Sequence, residues 1–144
     1  MEDISIIALF CSDARREVGG TETLVGVLPD TIKLPRLPGA FAQICIYVRM
    51  HLQPNFRAKE IITRVEMPDG SVFDKSAMSA DLLESTIAKL QSGVPYSGMI
   101  VKFVVAPFQI AQEGRVQVIV AIDGRDHLVG ALNCKLASNA EQVT

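Results

Sequence analysis

The sequence contains no tryptophan, two tyrosines and six phenylalanines, so aromatic residues make up 6% of its 144 residues. A stacking platform for sugars or nucleobases draws on such rings, and this chain supplies few. An excess of charge of either sign is also missing: 14 Lys and Arg against 16 Asp and Glu leave a net charge of −2. Phosphate backbones require a basic footprint, so nucleic acid is not an expected partner. No apolar run approaches the roughly 18 residues needed to cross a bilayer. The opening Met1-Glu2-Asp3 is acidic where a secretory leader is basic. No membrane partner is expected, and the chain reads as a cytoplasmic protein.

Cysteine and histidine are sparse. Cys11, Cys45 and Cys134 are odd in number and widely spaced, which is no disulfide framework and reads as buried, reduced thiols. His51 and His127 form no HxH or HxxxH, and there is no CxxC. Cys45 and His51 share one face of a strand, but about 20 Å separates them at about 3.3 Å per residue, too far to hold one metal. No metal site is expected. Val18-Gly19-Gly20-Thr21 has neither Walker nor Rossmann spacing, so no nucleotide or other small-molecule cofactor is expected. No GxSxG elbow occurs, and no serine or cysteine stands in a pattern that supplies it with a base; no catalytic residue is assigned.

What the chain has in quantity is apolar alternation. Apolar residues reach 49% and the mean hydropathy is +0.28, high enough to suggest that some apolar surface meets a partner. Ile44, Ile46, Val48, Met50 and Leu52 share one face of a segment whose other face carries Cys45, Tyr47, Arg49 and His51. That period of two predicts a half-buried strand. Residues 59–67 repeat it through Ile61, Thr63 and Val65. Residues 115–122 repeat it again, with Val116, Val118 and Val120 inward and Ile119 and Ala121 outward. Asp123-Gly124 then supplies a tight hairpin turn, and the chain returns with Leu128, Gly130, Leu132, Cys134 and Leu136 on one face. Met67-Pro68-Asp69-Gly70-Ser71 predicts a second turn, leading into a short strand at 71–73.

Residues 4–10 form a nearly continuous apolar run, suited to a strand covered on both faces. After the Gly19-Gly20 turn, 23–28 is a further strand. The prolines at 29, 35 and 38 mark 28–39 as a loop, or as an edge strand around 32–34. Residues 99–105 are apolar on both faces apart from Lys102, so that strand is central and covered, or its outer face meets a partner. One helix is predicted over about 80–92, capped by Ser79 or by Asp81 with Glu84, packing through Leu83, Ile87 and Leu90 and ending before Gly93 and Pro95. The expected architecture is mainly β: an antiparallel β-sandwich of about eight strands with that one short helix. It forms a single domain over 1–137, followed by a polar tail over 138–144.

The densest polar cluster, Cys11-Ser12-Asp13-Ala14-Arg15-Arg16-Glu17, follows the first strand. Asp13, Arg15, Arg16 and Glu17 can form a binding site at the end of the sandwich, or can cap and pair within a hairpin. Residues 8–13, 15–17, Gly20 and Leu24-Val25-Gly26-Val27 resemble the opening of an uncharacterised family of small bacterial and phage proteins. Pro107-Phe108, Gly114-Arg115-Val116 and Ile122-Asp123-Gly124 fit its later pattern. The resemblance covers most of the chain. It implies an immunoglobulin-like sandwich in a family of unknown function and carries over no catalytic residues.

The leading expectation is a non-enzymatic protein-binding or assembly module, working through a protein partner or as a homo-oligomer. Its contact residues are expected in the 13–20 loop and on outward positions Ile100, Val104 and Ile119. One alternative is a phage or mobile-element accessory protein that binds a host protein. Another is an unrecognised hydrolase using a serine, His51 or His127, and an aspartate.

Overall fold

Segments that alternate apolar and polar residues gain most by pairing into sheets and turning their apolar faces together. The computed structural model describes residues 3–89 and 93–138. Among them run β1 (Ile4–Arg16), β2 (Glu22–Val27), β3 (Thr31–Leu34), β4 (Gly39–Phe41), β5 (Ile44–Leu52), β6 (Glu60–Glu66), β7 (Val72–Ser79), α1 (Ala80–Ala88), β8 (Ser97–Val105), β9 (Phe108–Ile110), β10 (Gly114–Ile122) and β11 (Arg125–Leu136). One sheet has the order β2-β1-β5-β8 and the other β3-β11-β10-β6-β7, while β4 and β9 form a two-stranded ribbon. The fold is a β-sandwich, as the alternation predicts.

The inner row of β5 (Ile44, Ile46, Val48, Met50, Leu52) is fully buried and shares one core with Ile61 and Val65 of β6 and Val116, Val118 and Val120 of β10. Burying each such side chain contributes about 1.5–3 kcal/mol. The sheets approach closely where Gly130 of β11 faces β1: a Cβ built on Gly130 would lie 2.8 Å from that of Ala8. Phe108 and Ile110 of the ribbon, both fully buried, close one end of the core. The hairpin at Asp123-Gly124 forms as predicted, with φ of 51° and 82° at its two central residues. Asp123 Oδ1 also accepts the Lys59 and Glu60 amides at 2.8 and 3.0 Å.

Several expectations need correction. There are eleven strands among the described residues where about eight are predicted, because pieces as short as β4 and β9, three residues each, are too brief to carry alternation; the edge strand allowed around 32–34 is β3. The sandwich is not wholly antiparallel, since β3 runs parallel to β11. The run at 4–10 is not covered on both faces: Ile7 is 54% exposed. The strand after the Met67 turn extends to Ser79. Leu128 leaves the face of Gly130 and Leu132. The register shifts between Val118 and Ile119, so Gly130 pairs with Val118 but Leu128 pairs with Ile119. One extra residue in a strand turns all that follows to the other face. The helix spans Ala80–Ala88 with Lys89 at its C-terminal cap, and Ser79 supplies the N-cap, accepting from the Leu82 amide. Residues 90–92 of the predicted helix and 139–144 of the predicted tail lie outside the described residues.

Candidate functional site

A sheet edge exposes a row of unpaired backbone N–H and C=O groups that can template a foreign strand, and proteins usually guard it. Of the four edges of the two larger sheets, β3 is only four residues long. β7 carries Asp74 and Lys75, and β2 holds Gly26 at φ 66°. β8 is nine residues long, Ser97 to Val105, with a single charge. That charge, Lys102, does not stand at the edge. Its Nζ donates to Glu22 Oε1 at 2.7 Å, on a strand at the opposite side of the sheet. Ile100 and Val104, predicted contact residues, do project outward from β8, 42% and 58% exposed.

The register fixes what lies beside them. On the outer face, Ser5, His51 and Gly98 form one row across β1, β5 and β8, and Ile7, Arg49 and Ile100 form the next. Leu9, Tyr47 and Lys102 follow, then Cys11, Cys45 and Val104. Cys11, Cys45 and Tyr47 are buried although they point away from the core. The Glu22–Lys102 pair explains this, because it draws the β1–β2 hairpin over the face above Tyr47. The rows of Arg49 and His51 stay open. Arg49 Nε donates to His51 Nε2 at 2.9 Å, and the His51 ring stacks on Tyr96 at 4.3 Å. The guanidinium lies over Gly98, with Nη2 3.3 Å from where a Cβ would stand. A stacked ring, an imidazole acceptor and a missing side chain thus aim a cation across β8 toward its free edge.

The other predicted positions fall elsewhere. Asp13 Oδ1 accepts from the Ala14 amide and from Gln43 Nε2, and Asp13 Oδ2 meets Arg15 at 3.3 Å. Arg16 pairs with Glu22 in the hairpin ladder. The Glu17 amide donates to the Thr21 carbonyl at 2.7 Å. The cluster therefore braces the β1–β2 hairpin and its turn. Ile119 is only 9% exposed, which corrects its expected role as an outward contact. Arg64 of β6 crosses above it to hold Asp126 of β11 through Nη1 and Nη2 at 3.0 and 2.7 Å, with Nε on Glu66. The length of that side chain shields Ile119 and Ala121.

A cleft of about 750 Å³ opens at the ribbon end of the sandwich, lined by Pro35, Pro38, Pro68, Pro107, Phe73 and Gln109 among others. Asp69 and Ser71 also line it, but Asp69 Oδ1 is occupied by the Ser71 hydroxyl and amide at 2.6 and 2.9 Å. Those bonds, the hydroxyl first, hold the Asp69 carboxyl below the usual carboxylate range. Neither histidine lines this cleft. Burial pushes the Cys45 thiol up to about 12 and Cys134 to about 11, and raises Cys11 as well. Among the described residues no three His, Cys, Asp or Glu gather to hold a metal, and no helix is long and apolar enough to cross a membrane.

Residues 6–133 match DUF6941, described as a family of unknown function. The chain belongs to DUF6941. That agrees with the resemblance drawn from 8–27 and the later motifs. No curated protein matches. Seventeen solved chains do. One of the solved structures is the CARDB domain of the PF1109 protein from Pyrococcus furiosus, in complex with di-metal ions. It is 10% identical with a TM-score of 0.41, covering 95% of this chain and 98% of that one. In this DUF6941 chain the candidate face contains residues that the sequence pattern does not single out: Arg49, Tyr96, Gly98 and the Glu22–Lys102 pair. Alternation does put Arg49 and His51 on one face. Nothing in the sequence says that Gly98 lies beside them, because that depends on the register between β5 and β8.

Proposed function

We propose that this domain is a non-enzymatic protein-binding module that receives an extended segment of a partner as an added strand on β8. The observation that carries the reading is the nine-residue β8 edge, whose one lysine is drawn away to Glu22. Main-chain hydrogen bonds along such an edge supply affinity, and alternate side chains supply specificity. The flanking surface supports this, since Tyr and Arg are enriched where partners dock. The three free, buried cysteines fit a reducing compartment such as the cytoplasm.

A peptide-display selection against the folded chain tests the reading. Selected ligands should bind the double variant Ile100→Glu/Val104→Glu at least about tenfold more weakly, since charges on an edge oppose strand addition. Its thermal midpoint should barely change, because both positions are exposed. Ligands indifferent to these glutamates but lost on Phe73→Ala would move the binding site to the cleft and contradict the proposal.

A further inference from the structure

Resting on that reading, we infer that the segment received by β8 is acidic, with a carboxylate on its outward side chain beside Gly98 and Ile100 that pairs with the guanidinium of Arg49. A guanidinium fixed in place beside apolar side chains gains most from a charge-assisted, bidentate carboxylate partner. Among the described residues none lies within ion-pair distance of Arg49. Its Nε is spent on His51, and Nη2 lies over Gly98 on β8 itself. An added strand would run about 4.8 Å beyond β8, so a glutamate on its outer face can reach the guanidinium without moving it. Ile7 and Ile100 flank Arg49 in the same row. They exclude water from one side of the pair and strengthen it.

The same charges argue against a second copy on this edge. If β8 paired with itself antiparallel about Val101, Ile100 would face Lys102 and Gly98 would face Val104. No carboxylate on β8 would be supplied. Two Arg49 and two Lys102 would gather on one face, with only the Glu22 partners to offset the lysines. A partner strand with acidic side chains at alternate positions answers Arg49, and a second copy does not.

Two blocked heptapeptides test this, one alternating valine with glutamate and the other valine with glutamine. Binding is read from amide shifts of residues 97–105 with increasing peptide. The glutamate peptide should bind at least about fivefold tighter, the scale of a charge-assisted pair at a partly open site, and added salt should narrow the ratio. Arg49→Gln should bring the ratio to one. Gly98→Ala should reduce it by displacing the guanidinium. Arg125→Gln, on the other sheet, should leave it intact. Circular dichroism confirms that each variant is folded. Equal binding of both peptides at β8 would overturn the acidic partner and leave strand addition standing. Failure of both peptides to shift β8 would overturn both claims. A concentration-dependent dimer abolished by Ile100→Lys/Val104→Lys would overturn the acidic partner in favour of a second copy.

Discussion

Gly130 has no room for a side chain. Its missing Cβ would sit 2.8 Å from Ala8 Cβ, an atom fixed directly to the backbone, so one of the two strands would have to shift. Gly130→Val should cost about 1–3 kcal/mol, measured as a lower urea midpoint at unchanged m-value. Asp126 shows the opposite kind of dependence, on charge and not on shape. The Arg64 guanidinium holds its carboxyl below the ordinary value. A carboxyl lowered in the folded state stabilises above its unfolded value, about pH 4. That contribution is lost as pH falls through the folded value. Asp126→Asn should therefore destabilise the protein at pH 7, and its urea midpoint should converge on that of the wild type toward pH 2. At this scale the sequence was legible where a residue's own neighbours decide its place, as for Val116, Val118 and Val120. It was not legible for Ile119. Its burial depends on an arginine 55 positions earlier, Arg64, which folding brings above it.

Among the elements, the β1–β2 hairpin acts as a cover. Its hold on the outer face runs through Glu22 and Lys102, and Glu22 Oε2 is buried with no partner of its own among the described residues. Lys102→Met would leave that carboxylate uncompensated, which favours lifting the hairpin into water. Cys11 and Cys45 lie beneath it, whereas Cys134 faces the core from β11. In the native wild type all three should resist a thiol-specific disulfide reagent at pH 8, given their burial and raised pKa values. In Lys102→Met, Cys11 and Cys45 should react faster while Cys134 keeps its wild-type rate. Equal acceleration of all three would mean global destabilisation instead of hairpin release.

The elements that sequence reveals best are those that carry their own punctuation. The Asp123-Gly124 turn and the Ser79-capped helix were both readable, because a positive φ and a free N–H each demand particular residues. The parallel pairing of β3 with β11 was not, since nothing local distinguishes a strand that pairs across more than 100 residues. Nor was the shift between Val118 and Ile119, which leaves the β10 pattern intact and acts on its partner.

For the whole molecule, the question is which surface is left to work. The five-stranded sheet covers its outer face at Ile119 and Ala121 with Arg64. The four-stranded sheet covers half of its own with the β1–β2 hairpin. Besides the cleft at the ribbon end, what stays open is the edge of β8 with the rows of Arg49 and His51. Part of the exposed apolar surface lies there, in Ile7, Ile100 and Val104; the rest is scattered over Val18, Val27, Val72, Phe73 and Leu128 among others. Sequence alone pointed to Ile100 and Val104 but could not show that β8 ends its sheet, because strand order is a property of the assembled fold. Amide hydrogen exchange along the chain, with and without a saturating acidic strand peptide, tests this account most directly. Protection should rise within residues 97–105, as the open side of β8 gains hydrogen bonds, while 35–40 and 67–73 around the cleft stay unchanged. Protection gained at the cleft with none at 97–105 would contradict it.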